Sequence, residues 1–309
     1  MKKKPYVVVI TLNWNAKEHT IRCLKSILEM DYPNFDVILV DNGSTDGTVE
    51  AVRKKFPHIR VIANPQNLGY AKGFNIGLKE AYNMGAEYFL VMNNDTVIDK
   101  KALTHLVESA QNHPDVGFVT GKVYFYDRPN TLQTVGREAH PYRIIGPHIG
   151  AREEDKGQYD TPTYRDFIDD VFWLITREAF EKTRGYDPVF FLYFEETDWC
   201  IRAKKAGFKL FYTPKAKLWH NTTKKNNAKQ LYFLRKNEVV FQYRHSELSS
   251  FIVYTLIHIL LPGPRRVLSL AKRGRFREII AYVGGVVQGY VEILRHPFQL
   301  KNIKREASS

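Results

Sequence analysis

Cysteine is nearly missing from this chain, with Cys23 and Cys200 the only two in 309 residues. Two distant thiols build neither a disulfide framework nor a cysteine-based zinc cluster, so reduced core thiols are expected. A clean apolar run of about 20 residues, the length that spans a bilayer, is missing too. Phe251–Leu261 is too short, and Ile279–Leu294 carries Gln288 and Glu292. Lys2, Lys3 and Lys4 precede an apolar stretch, but Val7–Leu12 is short for a secretory signal, and Asn13 and Asn15 interrupt it. The turn after this first predicted strand, Leu12-Asn13-Trp14-Asn15, has none of the glycines of the dinucleotide fingerprint. No G-x-x-x-x-G-K-[ST] follows a strand, so both common nucleotide-binding loops are disfavoured. Fourteen prolines and 19 glycines are too few for a collagen-like or disordered chain.

What is present is a large apolar fraction, 44%, and a net charge of +13 placed unevenly. Residues 1–221 carry a net +2, residues 222–309 a net +11. A near-neutral domain over 1–221 is expected, followed by a basic appendage over 222–309. Such an appendage points to an anionic partner, lipid headgroups or nucleic acid, or simply to a solvated face.

Short β-branched runs alternate with helical periodicity through the first hundred residues. Tyr6–Leu12, Phe35–Val40, Val61–Ala63 and Tyr88–Met92 read as strands. Ala16–Met30, Thr48–Phe56, Tyr70–Met84 and Asp99–Asn112 read as helices, the first with Ile21, Leu24, Ile27 and Leu28 on one face. This alternation predicts an α/β fold with a mostly parallel sheet covered on both faces. Its binding crevice lies off the carboxyl ends of the strands, where Asn13, Asp41, Asn64 and Asn93-Asn94-Asp95 fall. Residues 121–170 have little periodicity and read as loops lining a site. Strands are predicted at Val171–Ile175, Lys209–Thr213 and Lys215–Trp219, and helices at Arg177–Lys182 and Thr197–Ala206. Beyond His220 the pattern is helical over Ala228–Arg244, Leu248–Leu261 and Arg275–Arg295.

Four segments carry chemistry. Asp41-Asn42-Gly43-Ser44-Thr45-Asp46-Gly47-Thr48 places an acid at a strand end, suited to a base or ribose hydroxyl and equally to a turn and helix cap. Gly69, Gly73 and Gly77 give a helix one smooth face, for packing or for a ligand. Asn93-Asn94-Asp95 suits a hard divalent cation held partly through phosphates, with His220 a second ligand or an ordinary structural histidine. Glu195, Glu196 and Asp198 crowd three acids behind Phe190-Phe191-Leu192-Tyr193-Phe194. That setting raises a carboxyl pKa and suits a general base, although acids at a helix start are also ordinary.

In this order the segments resemble the family-2 glycosyltransferases with the GT-A fold, over roughly residues 5–245. The matching pieces begin with Thr11 and Asn13, then Asp41 to Thr48, Asn67-Leu68-Gly69-Tyr70-Ala71 through Asn75 and Gly77, and Asn93-Asn94-Asp95. Phe191 to Cys200 and His220 follow. Arg235-Lys236-Asn237 is similar to the bacterial rhamnosyltransferase branch. The resemblance implies an inverting transferase acting in cell-surface polysaccharide synthesis. It moves a sugar from a dTDP-, UDP- or GDP-linked donor to a glycan or lipid-linked acceptor, with Mn²⁺ or Mg²⁺ as cofactor. It implies a nucleotide half over residues 1–98 and an acceptor half over 99–221. Thr11, Asn13, Asp41, Asn67, Asn75 and Asn94 would bind the nucleotide, and Asp95 and His220 the metal. Glu196, with Glu195 the alternative, would be the base, and Asp198 and Trp199 would bind the acceptor.

The chain departs from the family pattern at three places. Asn93 replaces the first acid of D-x-D, Glu195-Glu196 stands where many relatives have Glu-Asp, and Asp170-Val171-Phe172 replaces small residues. The first two departures keep a second reading open, a catalytically inactive nucleotide-sugar-binding partner subunit of the same fold. The basic helices would lie in the cytoplasmic leaflet as a peripheral membrane anchor. Alternatively they would pack on the catalytic domain or on a second subunit, as in a homodimer. Nucleic acid is disfavoured, because few aromatics interleave the basic residues.

Overall fold

The computed structural model describes residues 4–141, 144–222 and 228–301, with 298 and 299 as backbone only. Apolar runs without alternation become strands covered on both faces. In chain order the first elements are β1 (Val7–Asn13), α1 (Lys17–Leu28), β2 (Phe35–Asp41), α2 (Thr48–Lys55), β3 (Arg60–Ala63), α3 (Tyr70–Asn83), β4 (Tyr88–Asn93), β5 (Thr96–Ile98) and α4 (Ala102–Asn112). There follow β6 (Val116–Phe125), β7 (Arg128–Thr134), β8 (Arg137–His140), β9 (Ile144–His148), β10 (Thr163–Arg165), β11 (Phe172–Thr176), α5 (Arg177–Thr183), α6 (Glu195–Lys205) and β12 (Lys209–His220). The last are α7 (Ala228–His245), α8 (Leu248–Tyr254), a π-helical turn over Thr255–Leu260, α9 (Gly263–Lys272), α10 (Phe276–Arg295) and α11 (Pro297–Lys301).

The main sheet runs β10-β12-β6-β11-β4-β1-β2-β3, with β5 beside β12 and β7 beside β6. β4, β1, β2 and β3 are parallel, and β12 is parallel to β6. β11 runs antiparallel between β4 and β6. Alternate side chains of β1 serve two cores. Val7 and Val9 meet Leu24 and Ile27 of α1 and Leu103 and Leu106 of α4 in one cluster. Ile10 and Leu12 face α3, where a Cβ added at Gly77 would stand 2.5 Å from Ile10 Cγ2 and one at Gly73 2.6 Å from Leu12 Cδ1. Close packing of α3 on the sheet is therefore the reason for these two glycines. Gly69 differs: its φ is +86°, and its missing Cβ leaves room for the Phe191 ring.

The chain divides into two compact units. The first comprises Met1–Glu138, Pro147–Phe191 and Glu195–Thr223; the second comprises Ala139–Gly146, Leu192–Phe194 and Lys224–Ser309. The expected division at 221/222 did not include the two short insets of the second unit. Within that unit α7 and α10 pack closely, Gly285 against the Tyr232 carbonyl and Gly289 against Val239. Asn237, fully buried, donates from Nδ2 to the carbonyls of Leu192 (2.8 Å) and Tyr193 (3.0 Å). Tyr193 and Phe194 both sit at φ +73°, a left-handed pair rare for residues with a Cβ.

Two expectations give way to the structure. The stretch over 121–170 holds strands β6 to β10, mostly short edge elements whose polar residues leave no periodicity to read. The two strands expected over Lys209–Thr213 and Lys215–Trp219 are one strand, with a register shift between Tyr212 and Lys217 around Pro214.

Candidate active site

Register sets the rim. Asn13 pairs with Asp41 across β1 and β2, and Leu12 with Asn93 across β1 and β4, so three parallel strands end level. Asn13, fully buried, ties them together. Its Nδ2 donates to Asp41 Oδ1 at 2.7 Å and Ser44 Oγ at 3.0 Å. Its Oδ1 accepts from Thr20 Oγ1 at 2.9 Å, Asn94 Nδ2 at 3.0 Å and Ala16 N at 3.2 Å. Asp41 Oδ2 accepts from Ser44 N at 2.8 Å, and Asn94 Nδ2 also reaches Thr20 Oγ1 at 2.8 Å. Thr11 is fully buried beneath this network.

The other two residues expected at the nucleotide shape loops. Asn67 Oδ1 accepts from Gly69 N at 2.8 Å, closing the turn into α3. Asn75 grips the backbone of Tyr186, accepting from its N at 2.9 Å and donating to its O at 2.7 Å.

Asp95 and His220 come together although 125 positions separate them in the chain. β12 pairs antiparallel with β5 so that His220 faces Thr96, and Asp95 Oδ1 lies 3.1 Å from His220 Nε2. Both side chains retain some exposure, 30% and 12%. Gln133 Oε1, 2.9 Å from His220 Nδ1, accepts that ring proton. Nε2 is the ring nitrogen turned toward Asp95, and a ring held through Nδ1 is the outer-sphere arrangement seen for ligating histidines. Among the described residues no group of three or more His, Cys, Asp or Glu is placed to hold a metal. Asp95 and His220 could supply two ligands to a Mg²⁺- or Mn²⁺-type ion, whose remaining ligands would come from substrate phosphates and water.

Acids gather on the far side of Asn93. Tyr70, at the start of α3, donates to Asn93 Oδ1 at 3.0 Å. Its hydroxyl also feels Asp170, Glu195 and Glu196, and burial with these charges raises its pKa well above the ordinary tyrosine value. Asp170 reaches this place because β11 is antiparallel. Its first residue pairs with Met92, so the residues before β11 land on the rim where β4 ends. Asp170 Oδ2 accepts from Tyr186 OH at 2.7 Å. Burial, then the charge of Glu196, pushes the Asp170 carboxyl far above the usual range.

Burial also raises Glu196; Arg137 opposes the shift and Asp169 adds to it. Asp169 moves the other way. Burial works against its ionised form, but His148 Nδ1 at 3.1 Å, Arg137 and the Thr134 hydroxyl at 2.9 Å hold it below the ordinary value. Glu195 is buried and Glu196 partly exposed, so Glu196 is the acid of the pair that reaches open space.

Asp198 and Trp199, expected at the acceptor, lie fully buried in the core. Asp198 Oδ2 accepts from Arg202 Nε at 2.7 Å, and Arg202 bonds the carbonyls of Thr183 (2.5 Å) and Gly185 (2.6 Å). Trp199 Nε1 donates to Thr183 Oγ1 at 2.6 Å, and its ring packs edge-on to Tyr186 at 4.6 Å. Both brace the loop that presents Tyr186. Sequence reading passed over Gln133, Asp169 and Tyr186, and quoted Tyr70 only within the Asn67–Ala71 motif and Asp170 only as a departure from the family pattern. The adjacent acids at 169 and 170 before an apolar strand were the available signal.

The family model described as glycosyl transferase family 2 matches residues 6–184. An N-acetylglucosaminyl-diphospho-decaprenol L-rhamnosyltransferase of Mycobacterium tuberculosis is 25% identical over 259 residues, spanning 75% of this chain and 82% of that one. A poly-beta-1,6-N-acetyl-D-glucosamine synthase of Staphylococcus epidermidis is 26% identical over 208 residues, which are 67% of this chain and 47% of that protein. Among solved structures, mannosyltransferase PcManGT from Pyrobaculum calidifontis in complex with GDP-Man and Mn²⁺ superposes with a TM-score of 0.58 at 15% identity, covering 94% of this chain and 88% of that one. S. aureus TarS superposes at 0.53 and 14% identity, covering 94% and 92%. The shared architecture is the GT-A fold.

Proposed function

From a chain that belongs to glycosyl transferase family 2, and is therefore a glycosyltransferase, we propose an inverting, metal-dependent transfer. A sugar moves from a nucleoside-diphosphate donor to a hydroxyl of a glycan or lipid-linked saccharide in cell-surface polysaccharide synthesis. The observation that carries this reading is one continuous rim. Asn13 links Asp41 to Asn94, Asp95 faces His220, and Tyr70 bridges Asn93 to the acids around Glu196.

The Asp41–Ser44 turn receives the nucleoside. Asp95 and His220 would hold a divalent cation, which supplies Lewis-acid neutralisation of the departing diphosphate. Glu196 takes the proton from the acceptor oxygen as that oxygen attacks the face of the sugar opposite the diphosphate. A positioned base of this kind contributes about 10²–10⁴-fold. Burial keeps Glu196 basic enough to accept the proton, and Arg137 keeps a population ionised. The relative with rhamnosyltransferase activity makes a deoxyhexose donor the first to screen, dTDP-, UDP- or GDP-linked.

Glu196→Gln should abolish transfer of labelled sugar while calorimetric donor binding persists. Undiminished turnover would remove Glu196 from the mechanism. A second reading, a nucleotide-sugar-binding subunit without turnover, is favoured by Asn93 at the first D-x-D position. It predicts donor binding with neither transfer nor slow donor hydrolysis in the wild type.

The second unit fits a peripheral place on the cytoplasmic face of a membrane. Leu248, Ile252, Leu256 and Leu260 form one exposed stripe, and Phe276, Ile280, Val283 and Val287 another. Lys272, Arg273, Arg275 and Arg277 lie between the stripes. The continuous helical run Leu248–Lys272 is also long and apolar enough to cross a membrane, a length the sequence reading missed by stopping at Leu261. Each Lys or Arg at an anionic surface adds about 1 kcal/mol. Sedimentation with phosphatidylglycerol vesicles, weakened by charge removal at those four positions, supports the anchor. Equal retention on neutral vesicles argues against it.

A further inference from the structure

We propose that Asn237 is a positioning residue of the transfer reaction: it holds Leu192 and Tyr193 in the left-handed turn that leads into Glu195 and Glu196, and so fixes where the proton-accepting carboxylate stands. The inference rests on the reading above, in which Glu196 is the base, and deepens it.

Three observations carry it. The first is strain. Tyr193 and Phe194 stand in succession at φ +73°. A residue with a Cβ meets a steric penalty there, and two in a row persist only where their surroundings over-determine them. They are also the two residues immediately before Glu195 and Glu196.

The second is the grip on that turn. Asn237 of α7 is fully buried and gives both hydrogens of its Nδ2 to this segment, at 2.8 Å to the Leu192 carbonyl and 3.0 Å to the Tyr193 carbonyl. Its Oδ1 is buried with no hydrogen-bond partner among the described residues. That state is unfavourable, and an apolar side chain of the same size would avoid it if packing were the whole role. One turn further along α7, the Phe241 ring meets the Phe194 ring at a centroid distance of 5.2 Å. α7 is itself locked at this point. A Cβ added at Gly289 of α10 would stand 2.9 Å from the Lys236 carbonyl oxygen and 2.8 Å from Val239 Cβ.

The third is the helix that the turn enters. Glu195 and Glu196 are the first two residues of α6. The N–H groups of a first turn have no partners within the helix, and Phe194, the residue before it, has no side-chain oxygen to cap them. The buried anchors of α6, Asp198 and Trp199, come later. Upstream, the Phe191 carbonyl accepts from Tyr70 N at 2.8 Å, and its ring fills the space that Gly69 leaves. Between that fixed point and Glu195, the two bonds from Asn237 set the turn. Without them Tyr193 and Phe194 relax toward negative φ, and the acids that follow move.

The test uses the full-length protein. It measures kcat and acceptor KM at saturating donor, donor affinity by calorimetry and stability by urea unfolding. Asn237→Leu keeps the volume and removes both donors. Its kcat should fall about 10–100-fold, the effect of a displacement of about 1 Å, with donor affinity unchanged. Adding Tyr193→Gly should restore part of the loss, because glycine takes φ +73° without the penalty. A second comparison leaves Asn237 in place. Tyr193→Val and Tyr193→Gly remove the same ring, but a β-branched valine is strongly disfavoured at φ +73°. The valine variant should have the lower kcat, and this pair decides if Asn237→Leu fails to fold. Wild-type kcat in folded Asn237→Leu, or equal kcat in the two Tyr193 variants, means that Asn237 only packs, and overturns the proposal. Full transfer by Glu196→Gln is a different failure: it removes the base assignment of the parent reading, whatever is found at Asn237.

Discussion

The two sides of the rim are built from similar residues and differ in how their polar atoms are satisfied. On the side of β1 and β2 the groups are neutral amides and hydroxyls around one carboxylate, and Asn13 alone makes five hydrogen bonds. On the side of β4, β11 and α6, burial and neighbouring acids push the Asp170 and Glu196 carboxyls up, while His148 and Arg137 hold Asp169 down. A saturated network fixes geometry and resists change. A crowded one leaves carboxyls far from their ordinary titration range, the condition a proton acceptor needs. On the proposed mechanism one side holds and the other reacts, so the two should answer mutation in opposite ways.

The largest effect is expected at the junction. Asp95→Ala removes the only carboxylate of the Asp95–His220 pair. Turnover should drop about 100-fold or more, since Lewis-acid stabilisation is worth several kcal/mol. The divalent-ion concentration for half-maximal rate should rise. An unchanged metal titration would break the assignment at its centre.

Next is the holding side. Asn13→Ala leaves Asp41, Thr20 and Asn94 short of partners in a buried setting, at a cost of about 1–3 kcal/mol. Denaturant unfolding reads that loss, and a wild-type midpoint would mean that Asn13 does not tie the strands.

The smallest effect has the opposite sign. The Glu196 carboxyl titrates above its ordinary value in the fold, so the folded protein prefers it protonated. The Glu196 contribution to stability therefore falls as pH rises from about 4.3 through the raised value. Glu196→Gln mimics the protonated form. It should unfold at the wild-type temperature at pH 4 and a few degrees higher at pH 8, about 2–4 °C per kcal/mol for a domain of this size. Destabilisation at pH 8 would erase the contrast between the two sides.

Most of the holding side was legible. Asn13, Asp41 and Asn93 to Asp95 follow apolar runs whose β-strand character is local, and parallel strands put such ends on one rim by topology alone. Asp95 with His220 was half legible: each residue type was visible, but their approach needed the pairing of β12 with β5. Asp170 was legible as a departure from the family pattern but not as a member of the rim. An antiparallel strand brings its leading residues to the rim where parallel strands bring their trailing ones, and nothing local in residues 166–172 declares that direction. Asp198 and Trp199 were misplaced for a related reason. Helix periodicity gives α6 two faces without saying which one the core takes, and Arg202 decides it by neutralising Asp198 inside.

By itself, then, the order of amino acids determined the alternating strands and helices, the glycine face of α3, the uneven charge and the family. These rest on steric, periodic and compositional rules that act over a few residues. The tertiary structure decided which acids share a space, which histidine nitrogen turns toward Asp95, and which aromatics brace Tyr186. Carboxyl titration and ligand geometry depend on through-space distance and on the exclusion of water, and both are set only when distant segments pack.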